Sequence, residues 1–113
     1  MKPEQNISMI DQQDIVSFAR DVARKFDPER IVLFGSYAEG KPDENSDVDI
    51  LVVMNHSGKS SEQALAIRRE VRRRFPLDLI VRSPQETKRR QEQGDGFISS
   101  IVKEGRTLYE RAP

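Results

Sequence analysis

Three carboxylates and a Gly-Ser pair are the residues here whose types and spacing could do chemistry. Asp47 and Asp49 open the run Asp47 to Met54 (DVDILVVM). A strand alternates its faces with a period of two, so the two acids share a face. Strand interiors disfavour Asp. At about 5 Å and an effective dielectric of about 20, such a pair repels by roughly 3 kcal/mol. A divalent cation is the usual compensation. Asp78 stands near the start of another apolar run, Leu77 to Val81 (LDLIV), level with the pair. With no His or Cys beside them, the three acids form an all-oxygen donor set suited to Mg²⁺ or Mn²⁺. Gly35-Ser36 breaks the apolar run Arg30 to Phe34 (RIVLF). Gly permits close backbone approach to a ligand, and the amides of a helix start together with a Ser hydroxyl can bind phosphate. A phosphate grip facing a carboxylate metal site implies nucleotidyl or phosphoryl transfer.

The elements that must position these residues can be read from periodicity. Residues 1 to 7 read as a loose terminus. Ser8 or Asp11 caps a helix ending near Phe26, with Ile15, Phe18, Ala19, Val22, Ala23 and Phe26 on its apolar face. Asp27-Pro28 stops it. The first strand, Arg30 to Phe34, leads through Gly35-Ser36 and the polar turn Gly40 to Ser46 into the second strand, Asp47 to Met54. After the loop Asn55 to Ser61, a helix from about Ser61 to Phe75 turns Ala64, Ile67, Val71 and Phe75 inward. Pro76 ends it. The third strand is Leu77 to Val81. Ser83-Pro84-Gln85-Glu86 starts a helix with Ser as cap and Glu at N3, fading by Gly94. A last helix, Phe97 to Glu104, buries Phe97, Ile98, Ile101 and Val102, and Gly105 caps it. Thr107 to Tyr109 forms a final edge strand.

The fold class is therefore α/β (α+β), a small mixed sheet with helices packed on it. The helical crossover makes strands two and three parallel, and the short link makes strands one and two antiparallel. Gly35, Ser36, Asp47, Asp49 and Asp78 then converge at one end of the sheet.

Composition sets outer bounds. The 113 residues suit one domain, 1–113, with its core motif in 30–81. The absence of cysteine rules out disulfides and thiolate metal sites and fits a cytoplasmic protein. No run approaches the roughly 20 apolar residues of a membrane span, and no signal peptide is evident. Lys+Arg and Asp+Glu both total 19, so net charge points to no polyanionic partner.

Simpler readings compete at several positions. Arg68, Arg69, Arg72, Arg73 and Arg74 read first as a solvated helix face, supported by Glu70 to Arg74 at i,i+4; a dock for nucleic acid or an acidic partner is the lesser alternative. Gly58-Lys59-Ser60 is no P-loop, because Val53 stands where that motif needs its first Gly. His56 reads as a lone surface loop residue. Tyr37 suits packing as well as base stacking.

Gly35-Ser36, ten intervening residues, Asp47-Val48-Asp49, and Asp78 on a later strand together resemble the DNA polymerase beta superfamily of nucleotidyltransferases, most closely its minimal nucleotidyltransferase (MNT) branch. The likeness covers Arg30 to Val81, and Glu104 to Glu110 (EGRTLYE) is also similar. The resemblance implies that Ser36 binds a phosphate of the incoming nucleotide and that Asp47 and Asp49 bridge Mg²⁺ (or Mn²⁺). Asp78 would complete one metal and help deprotonate the acceptor hydroxyl. It implies AMP transfer from ATP to a hydroxyl, with a small helical HEPN-type protein as the partner modified. The alternative is an antitoxin that neutralises such a partner by contact alone. The chain departs from the pattern at Glu39, where many members carry a basic residue. An acid there should weaken triphosphate binding unless Lys41 compensates.

Overall fold

The computed structural model describes residues 10–94 and 96–112; the expected loose terminus and Ser8 lie outside them. The first helix, α1 (Gln12–Phe26), is capped by Asp11, whose carboxylate accepts the Gln13 amide at 2.8 Å. Asp14 in its first turn and Arg24 and Lys25 in its last complement the helix dipole. Asp27 ends it in the left-handed conformation, its amide donating to the Ala23 carbonyl. Ile15, Phe18, Ala19 and Val22 are buried, as the spacing requires.

Then follow β1 (Arg30–Phe34), a single turn α2 (Ser36–Glu39), β2 (Val48–Val53), α3 (Ser60–Glu70), β3 (Leu77–Arg82), α4 (Pro84–Glu92), α5 (Gly96–Glu104) and β4 (Arg106–Glu110). The strands form one sheet in the order β3-β2-β1-β4, with β2 and β3 parallel and the other neighbours antiparallel. The expected mixed sheet is present, and the second strand starts at Val48, one residue later than its sequence pattern suggested.

Each sheet face has its own core. Ile31, Leu33, Ile50 and Val52 pack with α1 and with Ile67 of α3. Val32, Leu51 and Val53 pack with Ile98 and Ile101 of α5. Alternation sends successive residues of one strand to opposite covers, which is why β2 is apolar throughout except at Asp49.

Two expectations need correction. The helix expected to reach Phe75 stops at Glu70, with Val71 extended at φ −120° and ψ 122°. Continuing it would set Arg72 and Arg73 one turn above Arg68 and Arg69, a like-charge i,i+4 arrangement, and Pro76 disfavours a helical Phe75. Arg68 instead donates to the Leu77 carbonyl at 2.7 Å, and Lys25 to the Glu70 carbonyl at 2.9 Å. Glu70 and Arg74 therefore share no helix, and the basic stripe divides between α3 and an exposed segment. Val71 and Phe75 are still buried, Phe75 meeting Phe18 edge-on at 5.7 Å.

Phe97, expected in the core, is 55% exposed. It stands in the first turn of α5, ahead of Ile98 and Ile101, which pack onto the sheet, and its ring meets Phe34 edge-on at 6.0 Å. Gly105 caps α5, its amide donating to the Ile101 carbonyl at 2.9 Å, but without a left-handed φ; a glycine is needed there for space, since a Cβ would lie 2.5 Å from the Ile101 carbonyl oxygen and 2.5 Å from a methyl of Val32.

Candidate active site

The turn that brings the chain back from α2 to β2 is built locally. Asp43 accepts the Asn45 amide at 2.8 Å, its own amide donates to the Ser46 hydroxyl at 2.9 Å, and Ser46 N–H closes on the Asp43 carbonyl. Asp47 emerges from this turn exposed, and the Val48 amide donates to the Pro76 carbonyl. That bond ties the start of β2 to the start of β3. The register follows: Asp49 lies opposite Asp78 on one side and Phe34 on the other. The structure thus places Gly35, Ser36, Asp47, Asp49 and Asp78 together at one sheet end, as their spacing implied.

Asp49 is the half-buried member and Asp47 and Asp78 the exposed ones. Burial first, then the charges of Asp78 and Asp47, hold the Asp49 carboxyl at about 6 in place of its ordinary 3.8. Hydrogen bonding with the Asp78 side chain acts in the same direction. Gly35 presses on it from the other side. A Cβ on Gly35 would stand 2.2 Å from an Asp49 oxygen, and Gly35 has φ 75° and ψ −158°, a conformation essentially confined to glycine.

These donors suit a divalent cation by chemistry: hard oxygen atoms, excess negative charge, and a proton retained where positive charge is wanted. Among the described residues no group of three or more His, Cys, Asp or Glu side chains forms a finished metal cage. The donor set is present and the cage is not preformed.

Ser36 opens α2 beside this cluster, and no side chain caps that turn. Tyr37 is resolved in favour of packing. It is 3% exposed, and its hydroxyl oxygen accepts the Ile10 amide at 3.3 Å, pinning α2 to the chain before α1. His56 is part-buried beside the Ser60 hydroxyl at 3.5 Å, not a plain surface residue, and lies on the loop between β2 and α3. Glu39 is exposed and borders a cleft with Gly35, Phe34 and the α5 residues Phe97 and Glu104. Sequence reasoning missed that α5 contributes to this end of the sheet; the one signal was Phe97 itself, an aromatic residue at the first turn of an otherwise aliphatic helix.

No helix among the described residues is long and apolar enough to cross a membrane. The sequence profile of the nucleotidyltransferase domain family matches residues 15–109. A protein of Methanocaldococcus jannaschii named as a candidate protein adenylyltransferase is 33% identical over 69 residues, which is 59% of this chain and 70% of that one. A crystal structure of a candidate nucleotidyltransferase from Sulfolobus solfataricus superposes with a TM-score of 0.61, covering 88% of this chain and 79% of that one. Their identity is 24%, so this likeness speaks for the fold alone.

Proposed function

The chain belongs to the nucleotidyltransferase domain family, and from that premise we propose that it transfers AMP from ATP to a hydroxyl of a partner protein. Asp47, Asp49 and Asp78 are the catalytic and metal-holding residues of this reading, and Gly35 and Ser36 hold the nucleotide. The observation that carries it is the Asp49 carboxyl, squeezed between Gly35 and Asp78 and holding its proton to about 6. A carboxylate cluster held this close at neutral pH supports a cation-binding role for these residues.

Bound there, Mg²⁺ or Mn²⁺ would neutralise the phosphates and assist the attacking and leaving oxygens. The chain's own residues do the rest. Ser36 and the amides of α2 orient the phosphates. In this reading Asp78 takes the proton of the incoming hydroxyl, a role that its exposure supports. The bond formed joins that oxygen to the α-phosphorus, and pyrophosphate leaves.

A protein acceptor is supported by the name of the Methanocaldococcus relative and by the exposure of Asp47 and Asp78. A second chain would exclude water and fix the hydroxyl. The resemblance to the MNT branch points to a small helical HEPN-type protein, modified on Tyr, Ser or Thr, in the cytoplasm.

Co-purification from the native source, followed by intact-mass measurement of the partner with ATP and Mg²⁺, tests this. A gain of one AMP, absent with Asp47→Asn, supports the proposal. Efficient modification of a small alcohol by the chain alone would overturn it, and an unmodified but tightly bound partner would favour action by contact.

A further inference from the structure

We propose that the cleft beside Gly35 receives a basic side chain, Lys or Arg, of the protein partner. The inference rests on the reading of this sheet end as the site of transfer, and it gives a role to the wall that α5 supplies, to which that reading assigns none. The cleft holds about 260 Å³, the share of roughly nine waters. That is room for one long side chain and too little for a folded element.

Its walls have two characters. Phe34 and Phe97 meet edge-on at one part of it, and Phe97 is 55% exposed, the most exposed of the large apolar residues among those described. Two carboxylates, Glu39 from α2 and Glu104 from α5, are its charged lining residues. Among the described residues neither acid forms an ion pair; Glu104 accepts only the Ser100 hydroxyl, at 3.2 Å. Arg106 reaches the Ala38 carbonyl at 3.4 Å and pairs with neither acid.

An exposed aromatic face beside unpaired carboxylates complements a cation on an apolar stem. A small anion would be repelled. A bare metal ion would make no use of the aromatic pair. A nucleobase could stack on Phe97, but its phosphates would bring more negative charge toward Glu39 and Glu104. A Lys or Arg side chain satisfies both walls, and it adds positive charge next to Gly35, where Glu39 otherwise opposes the phosphates. The same contact would select a partner whose modified hydroxyl lies near a basic residue.

The test is an NMR titration of the full chain with N-acetylarginine amide, with its uncharged isostere N-acetylcitrulline amide, and with adenosine. The arginine derivative should shift Phe97, Ser100 and Glu104 saturably and bind about tenfold more tightly than the citrulline derivative. That advantage should shrink at high salt and in Glu104→Gln. Equal responses to the two derivatives, or an arginine response confined to other residues, would overturn the inference. So would adenosine shifting these resonances more strongly than arginine, which would give the cleft to the nucleobase. ATP with Mg²⁺ is titrated separately and read at Gly35 and Ser36. Silence there counts against the transferase reading while the arginine comparison still decides the cleft.

Discussion

Gly35 and Asp49 touch so closely that a methyl group on Gly35 would stand 2.2 Å from an Asp49 carboxylate oxygen. The backbone turn that opens α2 is therefore also the wall that confines the acid. Gly40 has the same φ of 75° but a left-handed ψ of 21°, and a methyl group there would meet nothing within 4 Å, so it carries the milder backbone strain alone while Gly35 combines a harsher conformation with a collision. Gly40→Ala should cost about 1 kcal/mol through backbone strain alone. Gly35→Ala should cost roughly 2–3 kcal/mol and displace Asp49. Urea unfolding of both variants, with and without Mn²⁺, checks this: only Gly35→Ala should lose stabilisation by the metal.

Much of this end of the sheet was legible because the strand period of two is rigid. Once Asp49 is set on β2 and the crossover makes β3 parallel, Asp78 comes to its level, while Asp47 stands one residue before the strand. What escaped the sequence depended on tertiary detail. The end of α3 turned on like charges that a helix would have stacked. The exposure of Phe97 turned on where α5 meets the sheet, and the burial of Tyr37 on a bond to Ile10, 27 positions away. Asp49 itself is singled out from its neighbours only by burial, which no local pattern of acids reveals.

The pH dependence of stability should expose Asp49. Its folded-state pKa of about 6 lies above the ordinary 3.8, so the native state binds that proton more tightly than the unfolded state. The stability this contributes is fully present below about pH 4 and is lost as pH rises through about 6. Without metal, Asp49→Asn should therefore gain on the wild type over that interval, by about 1–2 kcal/mol at pH 7 once solvent screening is allowed for. Denaturant melts at pH 4, 5, 6 and 7 measure the difference. Mn²⁺ should reverse the order at neutral pH by stabilising only the wild type. An unchanged metal-induced shift in Asp49→Asn would remove it from the ligand set.

Ser36 and Asp47 should fail differently. Ser36→Ala loses one hydrogen bond to phosphate and should weaken ATP binding by about 1 kcal/mol. Asp47→Asn should abolish turnover and leave most of the fold's stability intact, since Asp47 is exposed. Calorimetry and single-turnover assays on both variants distinguish the roles; equal, small effects would mean the nucleotide lies elsewhere.

Glu39 is exposed on the cleft beside Gly35, and its charge opposes a bound triphosphate. Glu39→Lys should tighten ATP binding several-fold at low salt, with the gain fading as ionic strength rises. Weaker ATP binding by this variant would show instead that the acid contacts the metal or the acceptor.

The central claim is that a nucleoside monophosphate, not the terminal phosphoryl group, is transferred by the carboxylate cluster. The most direct measurement incubates the protein and its co-purified partner with Mg²⁺ and ATP labelled at either the α- or the γ-phosphate. Label should reach the partner from α-labelled ATP only and be lost in Asp47→Asn and in Asp78→Asn. Label arriving from γ-labelled ATP, or α-label persisting in both variants, would contradict the central claim.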